Sequence, residues 1–182
     1  MAQYQNSSVT ASKLILGNYQ IEYAATVGGS MVNLGAGIVN SFGHNLTKFD
    51  SQAGNAPDPV EGIARETFTI SGELIEYNPT ALSAIQCGGT DLTVSTTSIL
   101  TGGGNQVLTP IAFQLTNTTT YSGSTYTTVI QTYKATLDAG IQFTAKSDND
   151  SDPVNVMPFT ITAKLDTSRT AGDQLFNIER TV

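Results

Sequence analysis

The run Glu61-Gly62-Ile63-Ala64-Arg65-Glu66-Thr67-Phe68-Thr69-Ile70-Ser71-Gly72-Glu73-Leu74-Ile75-Glu76-Tyr77, followed by Asn78-Pro79-Thr80-Ala81-Leu82-Ser83-Ala84-Ile85-Gln86-Cys87-Gly88-Gly89, carries two periodicities back to back. From Phe68 the chain alternates. Phe68, Ile70 and Leu74 take one side, and Thr67, Thr69, Ser71 and Glu73 the other, as in a half-buried strand. After Tyr77 the period changes. Asn78 is a good N-cap, and Pro79 falls at the first helical position, where its missing N–H costs nothing. Ala81, Leu82 and Ile85 form an apolar stripe at helical spacing, and Gly88 or Gly89 suits a left-handed C-terminal cap. A long strand leading into one short packed helix is expected.

Upstream, Met1 to Ser12 is polar and aperiodic and reads as an N-terminal arm. Lys13 to Tyr23 reads as one or two strands broken near Gly17-Asn18, with Tyr19, Ile21 and Tyr23 on one face. The segment 27–60 is the puzzle. It contains Gly28, Gly29, Gly35, Gly37, Gly43 and Gly54, ends in Asn55-Ala56-Pro57-Asp58-Pro59, and shows at most short strands near Ser30–Leu34 and Leu46–Phe49. Connections beyond about 15 residues inside a compact domain are uncommon. Yet this one holds Met31, Leu34, Ile38, Phe42, Leu46 and Phe49, too many apolar residues for a disordered linker. It reads as a long extended loop that finds its hydrophobic partner on another subunit, with those residues and His44 as the contact candidates.

Downstream, Asp91–Leu100 and Gln106–Leu115 read as strands around a Gly102-Gly103-Gly104 turn, and Thr116–Thr125 as a polar loop. Tyr126–Ala135 alternates, as does Ile141-Phe143-Ala145. Val154 and Val156 share one parity, and Phe159, Ile161, Ala163 and Leu165 the other, so a bulge is expected at Pro158. Leu175–Glu179 closes the series. Many strands and one helix define a mainly β fold, an antiparallel β-sandwich or incomplete barrel with one short flanking α-helix and a long extended loop.

A chain of 182 residues suits a single domain with a sizeable core. No signal peptide opens it, so an intracellular setting is expected. The net charge of -7 opposes stable binding to a phosphate backbone. Only 13% of residues are charged, against about 25% in ordinary domains. Thr, Ser, Asn and Gly take their place, which fits either an assembly surface or simply a Thr-rich β protein.

Catalytic chemistry finds no footing. His44 is the single histidine and Cys87 the single cysteine. Cys87 falls at a helix C-terminus, where the dipole disfavours a thiolate. There is no metal-ligand spacing, no GxxxxGK and no GxGxxG after a strand, so neither a cofactor nor a metal is expected. The acidic run 147–153 lacks the glycine and the bidentate glutamate of a calcium loop. The carboxylates Glu61, Glu66, Glu73 and Glu76 lack the aromatic platform that sugar sites use. A non-enzyme is expected.

The order of motifs resembles the major tail tube proteins of tailed bacteriophages. The likeness rests on the strand ending near Tyr23, on Asn33-Leu34-Gly35-Ala36-Gly37, and on Pro57-Asp58-Pro59-Val60-Glu61-Gly62. It continues through Thr67–Tyr77 into Asn78-Pro79-Thr80-Ala81-Leu82, and then through Tyr133–Gly140 and Asn155–Asp166. The resemblance implies a structural virion protein of the tail, assembled in the bacterial host cytoplasm. It implies a subunit that pairs with itself in stacked hexameric rings and meets other tail proteins. Double-stranded DNA would pass through the lumen without stable binding, and no membrane would be involved. On that reading Thr67, Thr69, Ser71 and Glu73 face either the lumen or the exterior. A competing expectation is a non-catalytic β-sandwich of a virion that binds carbohydrate or a receptor.

Overall fold

The computed structural model describes residues 17–51, 60–85, 90–94, 97–101, 109–121, 123–138 and 156–181. Nine strands and one helix lie among them: β1 Asn18–Ala24, β2 Val32–Ser51, β3 Val60–Tyr77, α1 Pro79–Ile85, β4 Thr90–Val94, β5 Thr97–Thr101, β6 Ile111–Tyr121, β7 Ser124–Leu137, β8 Met157–Lys164 and β9 Phe176–Thr181. Seven strands form one antiparallel sheet in the order β6-β1-β2-β3-β8-β7-β9, and β6 also pairs with β7. The pairings therefore run in a circuit through six strands, with β9 added against β7 beside the three-residue β7–β8 ladder. Closure leaves few bare edges, the usual remedy for an antiparallel sheet.

Inward residues obey the period of two. Phe68, Ile70 and Leu74 of β3, Phe159, Ile161 and Ala163 of β8, and Phe113 and Leu115 of β6 are buried with Ile21, Ile130 and Met157 in one core. Gly72 sits on this inward face because no larger residue fits. A Cβ there would stand 2.2 Å from the Ile38 carbonyl oxygen and 2.8 Å from the Phe159 ring. Two polar side chains that enter the core are bonded: Thr132 accepts the Phe113 N–H at 3.3 Å, and the Asn117 side-chain amide donates to the Asn18 carbonyl.

The helix forms as its sequence predicts. The Asn78 side-chain oxygen accepts the N–H groups of Thr80 at 3.0 Å and Ala81 at 3.3 Å, while its carbonyl accepts the first intrahelical bond from Leu82. Ala81 and Leu82 are buried in the core cluster and Ile85 packs against it. The helix also lies against the β4–β5 hairpin.

Four expectations are corrected. The segment 27–60 is not mainly loop, since β2 alone spans twenty residues of it. Its periodicity is hidden by bulges in the β2–β3 register. At the one between Val39 and Ser41, inward positions change from odd numbers to even. The strand expected over Asp91–Leu100 is two short strands paired with each other. The Thr116–Thr125 stretch is not a loop: β6 runs on to Tyr121 and β7 starts at Ser124, because threonine is β-branched and suits a pleated surface. The bulge at Pro158 is absent from the β3–β8 ladder, which passes evenly through Glu73↔Pro158. The arm over 1–12, the turn residues 52–59, Cys87 with its Gly88–Gly89 cap, the Gly102–Gly104 turn, the strand at 141–145 and the acidic run 147–153 lie outside the described residues.

Leu82 is fully buried, and truncating such a leucine costs about 2–5 kcal/mol. Leu82→Ala is expected to lower the stability of the unassembled subunit by that amount in chemical denaturation. An unchanged midpoint would contradict the packing of α1.

Candidate assembly surface

β2 and β3 are longer than the barrel that contains them. β1 pairs with β2 only as far as Ile38, and β8 pairs with β3 only from Thr67 onward. Beyond those points the two strands pair with each other alone. Leu46–Ser51 and Val60–Glu66 thus form a two-stranded ribbon with both outer edges unpaired among the described residues. At about 3.4 Å per residue it extends roughly 20 Å from the barrel.

The ribbon is not a polar tip. Leu46 is 47% exposed, Phe49 44% and Ile63 51%. The Phe49 ring covers Gly62 on the facing strand, where a Cβ would stand 2.5 Å from the ring. Register places Phe42, His44, Leu46 and Lys48 on one face with Ile70, Phe68, Glu66 and Ile63 opposite them.

The ribbon's root is fastened to β9 by aromatic contacts. Phe68 stacks on Phe176 with centroids 4.0 Å apart, Phe42 lies 6.3 Å from Phe68, and His44 meets the Phe176 ring edge-on at 5.7 Å. Nε2 of His44 is 3.8 Å from Oε2 of Glu66. Beside them opens a cleft of about 430 Å³, walled also by Leu165, Leu175 and Ile178. Ile178 pairs with the buried Ile130 and so belongs to the inward face, yet it is 40% exposed.

β9 is positioned by the turn before it. The Arg169 guanidinium lies 3.8 Å above the Tyr133 ring, bonds the Asp173 carboxylate at 2.6 Å and donates through Nε to the Asp173 carbonyl at 2.9 Å. The Tyr133 hydroxyl donates to the same carboxylate. Burial, reinforced by the Asp173 carboxylate, pushes the Tyr133 phenol up to about 12. Asp173 is held below the usual carboxylate range, by the Tyr133 hydroxyl first and Arg169 second.

The contact candidates divide. Leu34 is buried in the subunit's own core and presents nothing to a neighbour. Met31 and Ile38 are half-buried, while Phe42, His44, Leu46 and Phe49 are exposed on the ribbon or at its root. Ile63 has the same character and went unnoticed in the sequence, because the extra residue Ala64 in β3 breaks the alternation beside it.

Thr67, Thr69, Ser71 and Glu73 do share one half-exposed face of β3. The structure extends it sideways: Thr160 and Thr162 of β8 stand opposite Ser71 and Thr69, and Ser41 and Asn45 of β2 flank the other side. Asn45 donates to the Thr69 hydroxyl at 3.2 Å. The result is a neutral hydroxyl terrace with Glu73 at one end and Lys164 at the other. Among the described residues no group of His, Cys, Asp and Glu could hold a metal ion, and no helix is long and apolar enough to cross a membrane.

No known family model matches the chain, and no curated protein does. Among solved structures it is similar to a cryo-EM structure of the anti-feeding prophage cap, described as the AFP tube terminating cap. Identity is 8% and the TM-score 0.47, over 100% of both chains. It is similar also to a crystal structure of Hcp protein, at 10% identity and TM-score 0.36, over 91% of this chain and 98% of that one. At these values neither likeness carries a function across.

The Asp173 arrangement has a pH signature. A carboxylate held low in the folded state adds stability above its unfolded value near 3.8, and that contribution is lost as pH falls through the folded value. Wild type is therefore expected to lose more stability between pH 5 and pH 2 than Asp173→Asn, in denaturation midpoints measured across that range. Parallel curves would show that the carboxylate adds nothing to the fold.

Proposed function

We propose that this protein is a structural subunit that polymerises into a tube of the tail tube type, as stacked hexameric rings enclosing a channel for the genome. The observation that carries the reading is the ribbon. A monomer that stayed a monomer would gain nothing from Leu46, Phe49 and Ile63 set on two strand edges that are unpaired among the described residues, and such edges are a standing invitation to pair with another chain. A neighbouring copy that covers this ribbon removes both liabilities at once. The motif order in the sequence agrees with a part that works by being assembled.

The hydroxyl terrace is the proposed lining of the channel. Passing DNA must not be held, and each cation that meets a phosphate adds affinity through counterion release. Threonine and serine hydroxyls keep such a wall wet without charge. Glu73 adds weak repulsion, and the chain as a whole is acidic.

Two experiments test these parts separately. Replacing 46–65 by a tight turn retains the β3–β8 ladder and the aromatic root, so the variant is expected to fold and to lose polymerisation. Negative-stain images that still show long tubes would refute the ribbon's role. Glu73→Lys is expected to assemble but to slow genome ejection, with the defect eased by added salt as the Debye length shortens. Ejection at the wild-type rate from particles built wholly of the lysine variant would show that the terrace lies elsewhere.

A further inference from the structure

His44 touches both a carboxylate and an aromatic ring at the ribbon's root. It is the chain's single histidine, and it stands at the point where the ribbon leaves the barrel. An imidazole is the one side chain whose ordinary titration falls between about pH 5 and 8. Its surroundings are asymmetric. From β3 comes the Glu66 carboxylate at 3.8 Å, and from β9 the Phe176 ring at 5.7 Å. The other six residues that wall the cleft carry no titratable group. On its own strand Lys48 shares the face, but four residues on, about 13 Å away. Arg65 pairs with Thr47 on the opposite face.

We infer that His44 is a pH-sensitive clamp that sets the direction of the ribbon, and through it the strength of self-association. This rests on the ribbon being the assembly element. When the imidazole is protonated, it gains an ionic partner in the Glu66 carboxylate. It also gains a cation–π contact with Phe176, whose ring is within the roughly 6 Å such contacts require. The first ties β2 to β3 within the ribbon's root, and the second ties β2 to β9. When the imidazole is neutral, the ionic attraction is gone and only ring packing remains.

Direction matters because, among the described residues, only contacts at its root hold the ribbon sideways. Its outer edges are unpaired among the described residues from Leu46 outward, so the root contacts alone fix where the tip points. A ribbon held in its docking direction loses less freedom on binding. The effect has a definite sign: association strengthens as pH falls through the imidazole range. Its size is bounded by the partial exposure of both side chains, 39% and 29%. Exposed ion pairs of this kind change an equilibrium by no more than about fivefold.

The net charge of -7 also shrinks as pH falls, which favours association of any variant and calls for an internal control. The test is sedimentation velocity of purified wild type, His44→Gln, Glu66→Gln and the 46–65 replacement, each at pH 8.0 and 5.5 and constant ionic strength. Circular dichroism checks that each is folded. Wild type is expected to gain about two- to fivefold more in association constant between the two pH values than either glutamine variant, and the two glutamine variants are expected to respond alike. A His44→Gln response equal to that of wild type would overturn the clamp. A Glu66→Gln variant that keeps the wild-type response would overturn the ionic contact on which it depends. If the 46–65 replacement associates like wild type, the ribbon reading itself fails. If it stays monomeric while His44→Gln follows wild type, only the clamp fails.

Discussion

The β2–β3 ladder outruns the barrel, and most of what distinguishes this subunit follows from that mismatch of length. Within the barrel the ladder is one of six antiparallel pairings, and its inward residues join the common core. Beyond Ile38 and before Thr67 the neighbours on either side stop, and the same two strands continue as a ribbon. Backbone hydrogen bonds between the two strands are satisfied. The outward N–H and C=O groups find no strand partner among the described residues, and isolated two-stranded ribbons are marginal in water.

Two devices hold that element in place. One is the aromatic series Phe42, Phe68, Phe176 and His44, which couples the ribbon's root to the last strand. The other is the Tyr133, Arg169 and Asp173 cluster, which fixes the turn preceding that strand. Both convert ordinary core packing into control over the placement of a protruding surface. Stacked aromatic pairs add about 0.5–1.5 kcal/mol beyond area burial, enough to bias an orientation but not to stabilise a domain.

The terrace obeys a complementary logic. Its residues lie on outward faces of β2, β3 and β8, where a barrel needs no apolar side chain. A solvent-facing sheet commonly carries charge, and here the positions from Ser41 to Thr162 carry hydroxyls and amides instead. Cross-strand threonine pairs support the sheet modestly, so stability alone gives little reason for so uniform a surface.

The sequence by itself determined what depends on neighbours along the chain. The Asn78-Pro79 cap, the α1 stripe and the alternation of β3 and β8 are local: side-chain period and capping chemistry suffice to read them. The mainly β class was legible for the same reason. Only the tertiary structure decided where bulges fall, since an extra residue is recognised by the partner strand it fails to match. That is why β2, whose inward parity changes at Asn40, read as a loop, and why Ile63 beside Ala64 escaped notice. Exposure was decided there too. Leu34 and Leu46 are the same residue type in the same strand, yet one is covered by α1 and the core while the other lies past the last neighbouring strand. Apolar character says that a side chain needs cover, and only the packing of distant segments says whether its own chain provides it.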